Sequence, residues 1–123
     1  VNGDTVVLCR ERNSHDPNYV ILEDNRERLE ACCNEAGHKI QTVFLPMPEP
    51  LFFDGQRLPA SYANFYVANN VVLVPTFNDP SDKTSLGILS ELFPDRCVVG
   101  IHAVDLVWGL GTLHCLTAQE PSL

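Results

Sequence analysis

Cys115 is the side chain in this sequence best placed to do chemistry, because it follows a glycine turn in the run Gly109-Leu-Gly-Thr-Leu-His-Cys-Leu-Thr-Ala-Gln-Glu-Pro121. Glycines let a substrate or a second backbone come close. A thiolate beside such a turn could act as a nucleophile. The competing reading is an inert thiol buried on an apolar strand. His114 is the nearest base in sequence. The spacing predicts a strand over 112–117, however, and strand neighbours point to opposite faces. On that reading His114 and Cys115 diverge, and any histidine partner comes from elsewhere: His102, His15 or His38.

The other cysteines are Cys9, Cys32, Cys33 and Cys97. The total is odd, two are adjacent and no C-x-x-C spacing occurs, so a disulfide framework and a zinc site both fit poorly. No two histidines stand at i,i+4, and neither a metal nor another cofactor is expected. The free-thiol pattern points to a reducing, cytoplasmic setting. The formal charge is −8, and the eight basic residues are scattered. That argues against a nucleic-acid partner, which needs a Lys/Arg surface. No apolar run is long enough to span a membrane.

The elements that must position Cys115 alternate between strand and helix. Val6-Val7-Leu8-Cys9 reads as a buried strand. Asp16-Pro17 opens a helix, expected over 24–36 with an extension back to 18; Gly37 stops it. Asp24 and Glu27 have capping-box spacing inside that span. A strand over 40–45 follows. The proline-rich stretch 46–60 reads as a long loop whose Phe52-Phe53 pair packs onto something. Strands over 63–68 and 71–77 form a hairpin about Asn69-Asn70. Asp79-Pro80 starts a second helix with Leu86, Leu89, Leu92 and Phe93 on one face, ended by Pro94. A strand over 97–101, a turn at Gly109-Leu110-Gly111, the strand over 112–117 and a polar tail complete the chain.

That order contains a repeat. Val6-Val7-Leu8 recurs as Val71-Val72-Leu73, and Asp16-Pro17 as Asp79-Pro80. Each pair introduces strand–helix–strand, the second copy with an extra hairpin strand in front. Such units leave sheet edges open unless they stack or close into a ring.

The run around Cys115 resembles the C-terminal signature of agmatine deiminases, usually close to G-G-G-N-I-H-C-I-T-Q-Q-Q-P. Arg57-Leu-Pro-Ala-Ser-Tyr-Ala-Asn-Phe-Tyr66 is similar to a second hallmark. So are Val72-Leu-Val-Pro-Thr-Phe-Asn-Asp79, Phe93-Pro-Asp-Arg-Cys-Val-Val-Gly-Ile101 and Asp16-Pro-Asn-Tyr19. These matches run in the family's order over nearly the whole chain. The family, related to bacterial peptidylarginine deiminases, lies in the guanidine-modifying pentein superfamily. The resemblance implies an α/β fold that is a partial pentein propeller: about two ββαβ modules of five plus one closing strand.

The resemblance also implies a reaction. A cysteine attacks the guanidinium carbon of agmatine, a histidine protonates the leaving ammonia, and hydrolysis gives N-carbamoylputrescine. Cys115 matches that nucleophile. Gly109 and Gly111 match the glycine turn beside it, Ser61 and Asn64 match the second hallmark, and all four are candidate substrate-binding residues; capped-turn and hairpin roles are the alternative for Ser61 and Asn64. The family histidine and carboxylates belong to a G-H-x-D segment and earlier modules, which precede the part matched here. The expectation is therefore a C-terminal part of a deiminase-like domain, inactive alone, whose partners are agmatine or another guanidinium compound and either the upstream modules or a second copy. A non-catalytic remnant and a peptidylarginine deiminase relative are the alternatives. Leu110, Thr112, Ala118 and Glu120 depart from the family pattern.

Overall fold

The computed structural model describes residues 2–120 and divides into two units, Val1–Met47 and Pro48–Leu123. In the first unit, β1 (Thr5–Arg10) and β2 (Gln41–Pro46) pair in parallel with Val7 opposite Val43. The crossover between them carries α1 (Asn18–Glu30). Among the described apolar side chains of this unit, only Cys9 and Leu45 are buried.

The first helix takes the extended start but stops short of the expected end. It starts at Asn18 and ends at Glu30, not near Ala36. Cys33 instead bridges Lys39, and Gly37 sits in the intervening turn at φ +79°. Leu22, Leu29, Cys32, Cys33 and Ala36 would fall on one apolar stripe of a longer helix, but α1 buries no residue, so no core face enforces the helix beyond Glu30. Arg26 reaches Glu23, Glu27 and Glu30 along its surface, and the neighbouring carboxylates raise the guanidinium's affinity for its proton. The Asp24–Glu27 spacing lies inside the helix and caps nothing. Asp16 does the capping: its Oδ1 accepts the Asn18 N–H at 2.8 Å, leaving Pro17 at the helix start where a missing N–H costs little.

The second unit opens with a two-residue hairpin, β3 (Phe52–Phe53) against β4 (Gln56–Arg57), inside the stretch read as a loop. Asp54 and Gly55 turn it, both at positive φ. Phe53 stacks on Trp108 with ring centroids 4.4 Å apart, which supplies the expected packing for one member of the Phe pair, while Phe52 is exposed. Next, β5 (Tyr66–Val67) runs antiparallel to β6 (Val71–Thr76) around Asn69-Asn70, and β7 (Cys97–His102) pairs with β6 in parallel. Residues 63–65, read as strand, lie outside β5. The crossover holds α2 (Ser81–Leu92), which ends before Pro94 as its sequence requires.

The core of this unit is continuous. Val72, Val74, Leu89, Tyr62, Ala103 and Val107 are all fully enclosed. Burying each valine or leucine side chain contributes about 1.5–3 kcal/mol. Gly100 lets α2 approach β7, since a Cβ there would lie 2.9 Å from Thr76 Cγ2 and 3.3 Å from Leu86 Cδ1. At the helix start Asp79 repeats the role of Asp16: its Oδ1 accepts the Ser81 N–H at 2.7 Å and its Oδ2 the Glu49 N–H at 2.8 Å. Burial works against the charge on Asp79, but these N–H donors and Ser81's side chain outweigh it and hold the carboxyl below its ordinary value.

The two units thus repeat strand–helix–strand, with the extra hairpin strand in the second. The chain is a mixed α/β protein. The strand expected over 112–117 does not form. Residues 113–116 make a turn, closed by Leu116 N–H to Thr112 O at 3.2 Å and Thr117 N–H to His114 O at 3.2 Å. The closing strand is therefore absent from the described residues. The sequence continues past Glu120 as Pro121, Ser122 and Leu123, and that part of the expected polar tail lies outside the described residues.

Candidate active site

Cys115 is exposed within the turn that replaces the expected strand. The chain reaches it through a 3-10 helix, Leu106–Gly109, whose apolar side supplies buried Val107. Leu110 then turns the backbone at φ 64°, its N–H donating to Val107 O at 3.0 Å. This left-handed conformation suits glycine, and Leu110 adopts it with its side chain 60% exposed. Thr112 is fully buried, and its hydroxyl donates to Asn64 O at 3.4 Å.

Asn64 organises the turn. Its side-chain oxygen accepts the His114 N–H at 2.9 Å and the Cys115 N–H at 3.3 Å. Its side-chain amide donates to Cys115 Sγ at 3.1 Å. The two acceptor contacts fix which end of the carboxamide faces the sulfur. An N–H donor aimed at sulfur is a natural partner for a thiolate, since charged acceptors form the stronger hydrogen bonds.

Gly111 is required by space. A Cβ there would lie 2.7 Å from Cys115 Cβ and 3.0 Å from Sγ, so any side chain displaces the cysteine. Gly109 is different: a Cβ on it would meet nothing within 4 Å, and its backbone leaves it open rather than crowded. Ser61 accepts the Ala63 N–H on its hydroxyl at 3.2 Å, and its carbonyl accepts the Asn64 N–H at 3.3 Å. It shapes the turn that presents Asn64. Ser61, Ala63, Asn64 and His114 line a shallow cavity of about 330 Å³ beside this turn.

The structure therefore brings Asn64, Gly111 and Cys115 together, with Ser61 supporting Asn64. The strand-alternation argument about His114 and Cys115 does not apply, because no strand forms. His114 contributes its backbone N–H to the Asn64 clamp, and among the described residues the Asn64 amide donates to Cys115 Sγ. His102 ends β7 and is exposed. Among the described residues no group of three His, Cys, Asp or Glu side chains could hold a metal ion, and no helix is long and apolar enough to cross a membrane.

The fold has close counterparts among solved deiminase structures. A Porphyromonas gingivalis structure, assigned by inference as an arginine deiminase, superposes with a TM-score of 0.95 at 39% identity, covering 98% of this chain and 35% of that one. A C. jejuni agmatine deiminase with substrate bound, in a Cys-to-Ser variant, gives a TM-score of 0.84 at 30% identity over 93% of this chain and 32% of that one. In sequence, a Latilactobacillus sakei protein assigned by inference as an agmatine deiminase is 35% identical over 135 residues, covering 95% of this chain.

Residues 1–121 match the Porphyromonas-type peptidyl-arginine deiminase family, and the chain belongs to it. It spans about a third of the length of its curated relatives, 37% of the Latilactobacillus sakei protein.

Proposed function

We propose that this chain carries the nucleophile of a guanidine deiminase acting on agmatine. Cys115 attacks the guanidinium carbon, a new C–S bond forms and a C–N bond breaks. A proton goes to the departing nitrogen, which leaves as ammonia. Water then attacks the thiouronium carbon, the C–S bond breaks, and N-carbamoylputrescine and the thiolate result. A thiolate is needed because the resonance-stabilised guanidinium is a poor electrophile. The observation that carries this reading is the Asn64 clamp, which fixes the cysteine backbone and presents an N–H to the sulfur. The acidic composition, −8 overall, suits a cationic substrate.

The histidine and carboxylates of the reaction come, on this reading, from the remainder of a pentein propeller, to which these residues contribute the two repeated units. The 123 residues alone are then inactive, and their partner is the rest of the domain or a second copy. The five free cysteines favour a reducing, cytoplasmic setting. The deciding assay is ureido-product formation from agmatine, with the chain alone and with the upstream part of a relative supplied. Product that requires the added part and disappears in Cys115→Ser supports the reading. Product from the chain alone overturns the division of labour, and no product with either arrangement favours a non-catalytic remnant.

Peptidyl-arginine is the second substrate reading, favoured by the description of the matched family. Parallel assays with agmatine and an arginine-containing peptide separate the two.

A further inference from the structure

We infer that Tyr62 and Asp82 are positioning residues for the nucleophile, acting through Asn64; this rests on the reading of Cys115 as the reacting thiol. Tyr62 lies two residues before Asn64 in the same turn and is fully buried. Its hydroxyl donates to Asp82 Oδ1 at 2.7 Å. The same oxygen accepts the Phe77 N–H at 3.0 Å, and Oδ2 accepts the Asp79 N–H at 3.1 Å. One carboxylate in the first turn of α2 therefore joins the end of β6, the helix start and the turn that presents Asn64.

The tyrosine ring has its own seat, edge-on to Phe77 with centroids 5.5 Å apart and planes at 62°. Packing alone would hold the ring in the core. The hydroxyl adds a directional bond that sets the depth and rotation of the 61–64 turn. Burial, and then the charged Asp82 acceptor, push the phenol's pKa up, so the hydroxyl keeps its proton and remains a donor at working pH. Asn64 has its amide 3.1 Å from Cys115 Sγ, and shifting or rotating the turn lengthens and misaligns that contact, which weakens it.

The test uses the whole chain and reads the cysteine directly. Iodoacetamide alkylation is followed peptide by peptide by mass spectrometry, which separates Cys115 from exposed Cys32, Cys33 and Cys97. Tyr62→Phe keeps the ring and removes the hydroxyl. It is expected to slow alkylation at Cys115 about fivefold, the worth of one hydrogen bond, while Cys97 reacts as before. Asn64→Ala slows Cys115 at least as much, and the double variant reacts no more slowly than Asn64→Ala, because both changes remove the same contact. Asp82→Asn also slows Cys115, because its amide keeps one acceptor oxygen where the carboxylate uses both.

An unchanged Cys115 rate in Tyr62→Phe overturns the inference, even with a lowered unfolding temperature, and leaves the tyrosine a purely structural residue. Multiplying effects in the double variant overturn it too, as does an unchanged Cys115 rate in Asp82→Asn. Alkylation reports on the thiol whether or not agmatine is turned over, so failure here and failure of the deiminase reading are distinguishable.

Discussion

Asn64 holds Cys115 from both sides of its α-carbon: the side-chain oxygen accepts the cysteine's backbone N–H at 3.3 Å, and the side-chain amide donates to its Sγ at 3.1 Å. One carboxamide thus sets where the residue sits and which way its sulfur points. Neither a shorter nor an acceptor-only side chain can do both.

Asn64→Ala removes the clamp. In a complemented, active assembly the expected loss in kcat/KM is about tenfold to a hundredfold, the worth of a hydrogen bond to a charged group. Initial rates on agmatine measure it, and an unaltered rate would show that the sulfur is held by other means.

Gly111→Ala drives a methyl group into Cys115. A Cβ 2.7 Å from the cysteine's own Cβ cannot be accommodated by a rotamer change, so the turn itself must move. Thermal or denaturant unfolding is expected to show a loss of about 1–3 kcal/mol, typical of overpacking. Gly109→Ala, which meets open space, should leave the Cys115 alkylation rate unchanged.

Leu110→Gly should raise the unfolding temperature. A non-glycine residue at φ 64° costs about 1–2 kcal/mol in backbone strain. Glycine's greater freedom in the unfolded chain returns about 0.5–1 kcal/mol of that. The net gain is a few tenths to about 1 kcal/mol, readable by calorimetry; a drop in the transition temperature would mean that the exposed leucine packs against something.

Ser85→Ala tests a different kind of strain. Ser85 Oγ is buried in α2 with no hydrogen-bond partner. Leaving a hydroxyl unsatisfied costs about 1–3 kcal/mol, whereas alanine fits the same space and favours helix. The variant is expected to unfold at a higher denaturant concentration with an unchanged slope.

Acid should unfold the second unit partly through Asp79. Its carboxyl titrates below the ordinary value of about 3.9. A depressed folded-state pKa means stability that is fully present above the unfolded value and lost as pH falls through the folded one. The loss therefore begins below about pH 4. Asp79→Asn keeps one acceptor oxygen but no charge, and its stability should fall less steeply over that interval. Denaturation midpoints at successive pH values check the slope.

Much of this architecture was legible from residue pattern. The β-branched runs Val6-Val7-Leu8 and Val71-Val72-Leu73 mark strands, and Asp-Pro marks both helix starts because the aspartate can accept an N–H just beyond the proline. The end of α1 was not legible, since Cys32, Cys33 and Ala36 continue an apolar stripe that no buried face uses. The last segment misled for the opposite reason. Leu113, Leu116 and Thr117 have strand-like composition, but no ladder partner pairs with them among the described residues, and their backbone bonds close locally. Asn64 was marked only by resemblance, because nothing in a turn asparagine's own neighbourhood announces a contact 51 residues away.

That separation has a consequence for how the site can be moved or lost. The run Gly109–Cys115 looks portable, yet a peptide bearing it alone would have the thiol without its setting. Deleting or replacing the 61–64 turn would leave every residue of the terminal motif in place and still dismantle the nucleophile's surroundings. A motif search would count such a chain as intact; the chemistry would not.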